Sequence, residues 1–260
     1  MRNEVGGQWQ GTALYHLQRI IRTAGDAGGA LGAALCAHRD CTGALPREPM
    51  QSAALGPVYD TQQIIAVLAL YQTRFAEHGI ICTKVDDVAL LLQRCAAAIA
   101  DGAVLGWFQG RMEWGPRALG QRSILAEPRR ADMRDLINTK IKRREMFRPF
   151  APSIMREAVS QWFEVDDDVP FMMKVYPLRA ERTAQVPAVA HVDGSARLQT
   201  VTREQAPMFH GLIEQFCQRT GVPMLLSTSI NESERSSASP AKPLITFCPP
   251  TWTSWCSNAT

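Results

Sequence analysis

Several things are missing from this chain, and each absence excludes a class of protein. No apolar run reaches the roughly 20 residues that a membrane-spanning helix needs, since the longest, Ile64 to Tyr71, is eight residues. The opening residues hold no apolar core of signal-peptide length. Seven cysteines is an odd number and none stand as Cys-x-x-Cys. Cys36 and Cys41 have no second ligand pair, which leaves neither a disulfide framework nor a zinc ribbon. Free, mostly buried thiols in a reducing compartment, and hence a cytoplasmic protein, are the expectation. No Gly-Lys-Ser/Thr follows a Gly-rich turn and no G-x-G-x-x-G spacing occurs, which excludes a P-loop and the dinucleotide fingerprint. There is no internal repeat and no low-complexity tract. At 260 residues, with 46% apolar and 20% charged, the chain is that of a soluble globular protein of one large or two ordinary domains.

What is there is concentrated between Gly106 and Ser153. From Arg111 to Arg148 eleven Lys or Arg stand against five Asp or Glu, a local +6 in a chain whose net charge is +3. Arg117 and Arg122 flank a tight Gly-Pro-Arg-Ala-Leu-Gly turn. Lys140, Lys142, Arg143, Arg144 and Arg148 crowd ahead of a proline. Converging guanidinium forks match phosphate and carboxylate oxygens. A solvated basic helix face or a nucleic-acid patch would use the same residues. Apolar residues interrupt the charges throughout (Trp114, Leu119, Ile124, Leu136, Ile141, Phe150), however, and this favours a walled pocket for a small anion.

Around that stretch the pattern is mixed α/β. Residues 1–19 carry no periodicity. Ile20-Ile21 reads as a strand end, followed by a Gly-rich turn and a small-residue helix to Cys36. Asp26 stands at the turn, either as a helix N-cap or as a metal- or phosphate-site carboxylate. Residues 40–60 read as a linker. Helices are expected over Thr61–Phe75, Val85–Ala100 with Asp86 and Asp87 in its first turn, Met133–Ile141, Arg156–Phe163 and Pro207–Arg219. Strands are expected over Ala103–Phe108 and Val222–Leu226. His191 and Asp193 fall on one face of a further strand, as do Arg197 and Gln199 beyond a turn. From the residues alone His191 reads first as a hydrogen-bonded structural histidine. Ser227-Thr-Ser-Ile-Asn231 is a hydroxyl and amide cluster at a strand end, suited to phosphate or ribose oxygens or to capping a helix.

Five stretches, TAGDAGGALGAAL, GWFQGRMEWGPRALGQRSILAEPRR, IKRREMFRPFAPS, HVDGSARLQTV and TGVPMLLSTSIN, occur in the order and approximate spacing of the O-carbamoyltransferase family. This family comprises the nodulation and antibiotic-tailoring carbamoyltransferases. The resemblance is to its C-terminal part and covers roughly residues 20 to 234. It implies a YrdC-like twisted mixed sheet with helices, preceded by a small remnant of an actin/Hsp70-type (Kae1-like) domain. The implied boundaries are 1–60 for the remnant and linker, 61–234 for the carbamoyltransferase domain, and 235–260 for a tail read out of frame. It further implies that carbamoyl phosphate and ATP form a carbamoyl-adenylate, from which the carbamoyl group passes to a hydroxyl of a small-molecule acceptor. Arg117, Lys142 and Arg148 would be the catalytic cations. Ser229, Asn231, His191 and Arg197 would join them in binding substrate, and Asp26 would be a ligand of a divalent metal ion.

The sequence departs from the family pattern in one respect. The other metal ligands of the family come from a His-x-x-x-His arrangement, and no such pair occurs among the five histidines. The expectation is therefore a fragment with an incomplete metal site, dependent on a partner for the missing upstream domain. An RNA-binding YrdC-like module and an inactive gene remnant are the alternatives, and neither nucleic acid nor a membrane is the expected partner. If the tail after Glu234 is out of frame, the strand Val222–Leu226 should lie beside an unpaired sheet edge.

Overall fold

The computed structural model describes residues 28–45 and 50–230, together with the backbone of 254–258. These fall into two compact units. In one, formed by the described residues up to Ala53 with Trp114–Pro116, helix α1 (Gly28–Thr42) buries Leu35 against Leu31 and Leu45. Trp114 donates its backbone N–H to Ala53 O (2.7 Å).

The second unit, Ala54–Glu113 with the chain from Arg117 on, is a mixed α/β body. Its sheet runs in the order β4-β5-β3-β6-β2-β1-β7. The strands are β1 (Leu105–Gln109), β2 (Arg122–Ala126), β3 (Ala151–Met155), β4 (Lys174–Pro177), β5 (Ser195–Val201), β6 (Met224–Ser229) and β7 (Ser254–Asn258). Neighbours are antiparallel except β3 with β5 and β1 with β7. β1 and β2 are buried along their whole length, which suits the unbroken runs LGWFQ and RSILA better than period-two alternation. β6 lies in the interior, with Ser227 opposite Leu125 on one side and Ala151 on the other. The unpaired edge expected beside Val222–Leu226 is therefore not there. The backbone of Ser254–Asn258 instead covers the far side of β1.

Before the sheet come α2 (Thr61–Leu70) and α3 (Gln72–Glu77), and then α4 (Val88–Ala100). Asp60 opens α2 with a capping box whose partner is Gln63. Asp87 is the N-cap of α4, its carboxylate accepting from Ala89 N and Leu90 N (2.8 and 3.3 Å). Asp86 lies outside the helix, paired with Lys84. α4 buries Leu92, Cys95, Ala96 and Ile99, one stripe at helical spacing. The last long helix, Pro207–Thr220, buries Phe209, Leu212, Ile213 and Phe216 in the same way and stops at left-handed Gly221. These two helices pack together where Gly211 leaves room for Leu92; a Cβ at Gly211 would come within 2.9 Å of Leu92 Cδ1. Between them and the sheet lies one continuous core that includes Trp107, Ile124, Leu125, Met133, Phe163 and Leu226.

Two expected helices differ in kind. Met133–Leu136 (α5) continues as a π-helix, Ile137–Lys142, and Arg156–Phe163 is a 3₁₀ turn followed by α6 (Val159–Trp162). His191 and Asp193 lie in a turn rather than on a strand: His191 O accepts from Gly194 N and His191 N donates to Ser195 O. Among the described residues no helix is long and apolar enough to cross a membrane.

Candidate anion-binding site

The turn that carries Arg117 is held from below by a buried carboxylate. Glu113 Oε1 accepts from the backbone N–H groups of Leu119, Gln121 and Arg122 (2.8, 2.7 and 3.1 Å). Gln109 Nε2 donates to Gly120 O (2.7 Å), and Gly120 N donates to Ser123 Oγ (3.0 Å). Gly120 has φ +99°, and a Cβ there would lie 2.2 Å from Phe209 Cδ1, so only glycine fits. Arg122 is wholly buried and serves the fold. Its guanidinium sits 3.6 Å from the Phe108 ring centroid and donates to the carbonyls of Gln109, Gly110 and Gln121. Burial pushes its pKa down to about 10, with Glu113 opposing.

A second segment brings Lys142, Arg144 and Arg148. Lys142 is the last residue of the π-helix and is 3% exposed. Its Nζ donates to Ser229 O and to Ser229 Oγ (the latter 3.2 Å), tying the π-helix to the end of β6. Burial lowers the Lys142 pKa to about 7, with the positive charge of Arg144 adding to the effect. Arg144 lies over the Phe150 ring at 5.0 Å. Its own pKa is lowered by burial first and Arg148 second, while Glu145 opposes. Arg148 stands at the rim, half exposed, 3.5 Å from Glu145.

β5 supplies the third part. Arg197 and Gln199 share a face of this strand. Gln199 Nε2 donates to Leu119 O (3.0 Å) and its Oε1 accepts from Ser153 Oγ (2.6 Å), which docks the Arg117 turn on the sheet. The Arg197 pKa is lowered to about 10 by burial, then by the positive charges of Arg117 and Arg144. Nε of both Arg117 and Arg197 is buried without a hydrogen-bond partner among the described residues. His191 Nδ1 lies 3.1 Å from Ser195 Oγ. Burial lowers the His191 pKa, Asp193 opposes and Arg197 adds to the fall.

Like charges drawn together and partly desolvated, with two orphaned donors, make a place that an anion would stabilise. Arg117, Lys142, Arg144, Arg197 and Ser229 thus form one centre, with Arg148 at its rim and His191 beside Arg197. Asp26 and Asn231 lie outside the described residues. Among the described residues no group of three or more His, Cys, Asp or Glu could hold a metal ion. The sequence pointed to the cations, and to Gln199 as sharing a strand face with Arg197, but not to Glu113 or to Asn138 of the π-helix. Their only signal is that of polar residues set within apolar or basic runs.

A mixed α/β domain with a cluster of partly desolvated cations is the class defined so far, and comparison with known proteins narrows it. Residues 96–248 match the carbamoyltransferase C-terminus family, and the chain belongs to it. The match runs past Glu234, the point at which the sequence reading ends the resemblance. The chain is 47% identical over 212 residues to nodulation protein NolNO of Sinorhizobium fredii, covering 80% of this chain and 30% of that protein. It is 43% identical over 211 residues to nodulation protein NolO of Bradyrhizobium diazoefficiens, covering 80% of this chain and 37% of that one. With the 3'-hydroxymethylcephem-O-carbamoyltransferase of Streptomyces clavuligerus it shares 34% identity over 241 residues, 93% of this chain and 42% of the enzyme. The chain therefore spans about a third of the length of the curated relatives it matches.

Proposed function

We propose that this chain is the phosphate-handling part of an O-carbamoyltransferase. Arg117, Lys142, Arg144 and Arg197 hold the phosphate of carbamoyl phosphate, with Arg148 closing from the rim and Ser229 fixing Lys142. The observation that carries this is the setting of Arg197: it is half-buried, its Nε has no hydrogen-bond partner among the described residues, and burial first, then two neighbouring arginines, lower its pKa. A dianion would supply the missing charge and acceptors, and hydrogen bonds between ionised partners are the strong ones. The five cations exceed what one phosphate neutralises. That supports ATP phosphates sharing the centre, where carbamoyl phosphate, water and ATP would give the carbamoyl-adenylate with release of phosphate and pyrophosphate. The carbamoyl group would then pass to a hydroxyl oxygen of the acceptor, the bond to AMP breaking, AMP leaving and the hydroxyl proton being released. Such chemistry asks the protein for positioning and charge stabilisation more than for a nucleophile. The fold reading is a YrdC-like domain, with residues before 61 belonging to a Kae1-like one. The described residues do not fit a divalent metal, so no step is assigned to one.

Calorimetry with carbamoyl phosphate and with inorganic phosphate tests the reading. Both should bind, and Arg197→Ala or Arg117→Ala should weaken binding by about 1.5–3 kcal/mol, the range for hydrogen bonds to charged groups. Arg148→Ala, from the half-exposed rim, should cost less. If wild type binds neither anion, or if Arg197→Ala binds like wild type, the assignment is wrong. An RNA-binding role would instead appear as affinity falling steeply with log salt.

A further inference from the structure

Two of the cations, Arg144 and Arg148, sit on a loop that needs a device to aim them, and the π-helix before it provides one. Asn138 is wholly buried in the second position of that helix. Its side chain uses both amide hydrogens, Nδ2 donating to Met146 O (3.1 Å) and to Arg148 O (3.0 Å). Its Oδ1 accepts from Arg144 Nε (2.7 Å). Its backbone carbonyl accepts from the N–H groups of Arg143 and Arg144, the first of these being the i to i+5 bond of a π-turn. Arg143 then reverses the chain at φ +47°, a conformation that a non-glycine residue adopts only when its surroundings hold it there. The loop these bonds shape exposes Met146 and Phe147 at 57% and 79%. Apolar burial therefore does not hold the tip, and the hydrogen bonds from Asn138 do.

We infer that Asn138 is the positioning residue of the anion centre: one buried amide sets the direction of the Arg144 guanidinium and the place of Arg148. The inference rests on the phosphate-binding reading above. Asparagine alone suits the task, because aspartate would set oxygens against the carbonyls of Met146 and Arg148. Aspartate would also neutralise Arg144, which the centre needs positive.

A double-mutant cycle on the full chain tests it, with inorganic phosphate as the probe and heat unfolding followed alongside. Asn138→Ala should bind phosphate about tenfold more weakly, a change of about 1.4 kcal/mol. In an Arg144→Ala background the same substitution should weaken binding much less, because its effect passes through Arg144. A merely structural role would lower the melting temperature and add the same loss of affinity in both backgrounds, and that result would overturn the inference. Arg144→Lys gives a second arm should Asn138→Ala not fold. Lysine keeps the charge but lacks the Nε–H that Asn138 orients, so it should bind as weakly as Arg144→Ala. Binding like wild type would sink the proposal. If wild type itself binds no phosphate, the functional reading fails first. If wild type binds and Arg144→Ala weakens it while Asn138→Ala does not, only the positioning role fails.

Discussion

Replacing Lys142 by methionine removes a buried cation and keeps most of its apolar stem. The folded protein holds the Lys142 pKa at about 7 against an ordinary 10.5, through burial first and the charge of Arg144 second. Across that window the unfolded chain binds a proton that the folded chain does not, so stability rises with pH. Below about pH 7 the lysine is charged in both states, and the full cost of burying it is present. At about 1.36 kcal/mol for each tenfold step in acidity, the difference between the two ends is on the order of 5 kcal/mol. Urea unfolding at intervals from pH 6.5 to 9.5, without phosphate, should show wild type gaining stability faster than Lys142→Met. The methionine variant should be the more stable of the two at pH 6.5. Saturating phosphate should flatten the wild-type curve by restoring the charge on Lys142. Arg122 and Arg197, whose pKa values lie at about 10, contribute equally to both proteins and cancel in the comparison. Parallel curves for the two proteins over this range would refute the reasoning.

The turn carrying Arg117 yields further predictions. Gly120→Ala forces a Cβ into Phe209 at a left-handed φ and should destabilise the domain by about 2–4 kcal/mol in urea unfolding. Glu113→Ala leaves three backbone N–H groups without their acceptor and should cost roughly 2–4 kcal/mol, with phosphate affinity falling as Arg117 loses its place. Glu113→Gln retains an acceptor oxygen and should cost less on both measures.

The long helices and the central strand β6 were legible in the sequence because each announces itself locally. Leu92, Cys95, Ala96 and Ile99 repeat at helical spacing, and Pro207 and Gly221 mark the ends of the last long helix. β2 and β3 were not legible. RSILA and APSIM are short, buried on almost every residue and embedded in a basic stretch, so neither alternation nor turn residues mark them. The cations of the centre could be named from their density and family resemblance. Which of them are desolvated could not, because Arg122 and Arg117 flank the same turn. One lies in a nest of carbonyls and the other faces Arg197. The roles of Glu113, Asn138 and Gln199 depend on hydrogen bonds closed only by the folded chain.

The tether between Lys142 and Ser229 joins residues 87 positions apart, and that between Gln199 and Leu119 spans 80. Closures of this length come late in folding, since their chain entropy is lost before any contact compensates. The cation cluster therefore cannot assemble in a half-folded intermediate or in either half of the domain alone. On the proposed reading, binding of phosphate reports the joining of β5 and β6 to the Arg117 turn and the π-helix, and added phosphate should slow unfolding rather than hasten folding.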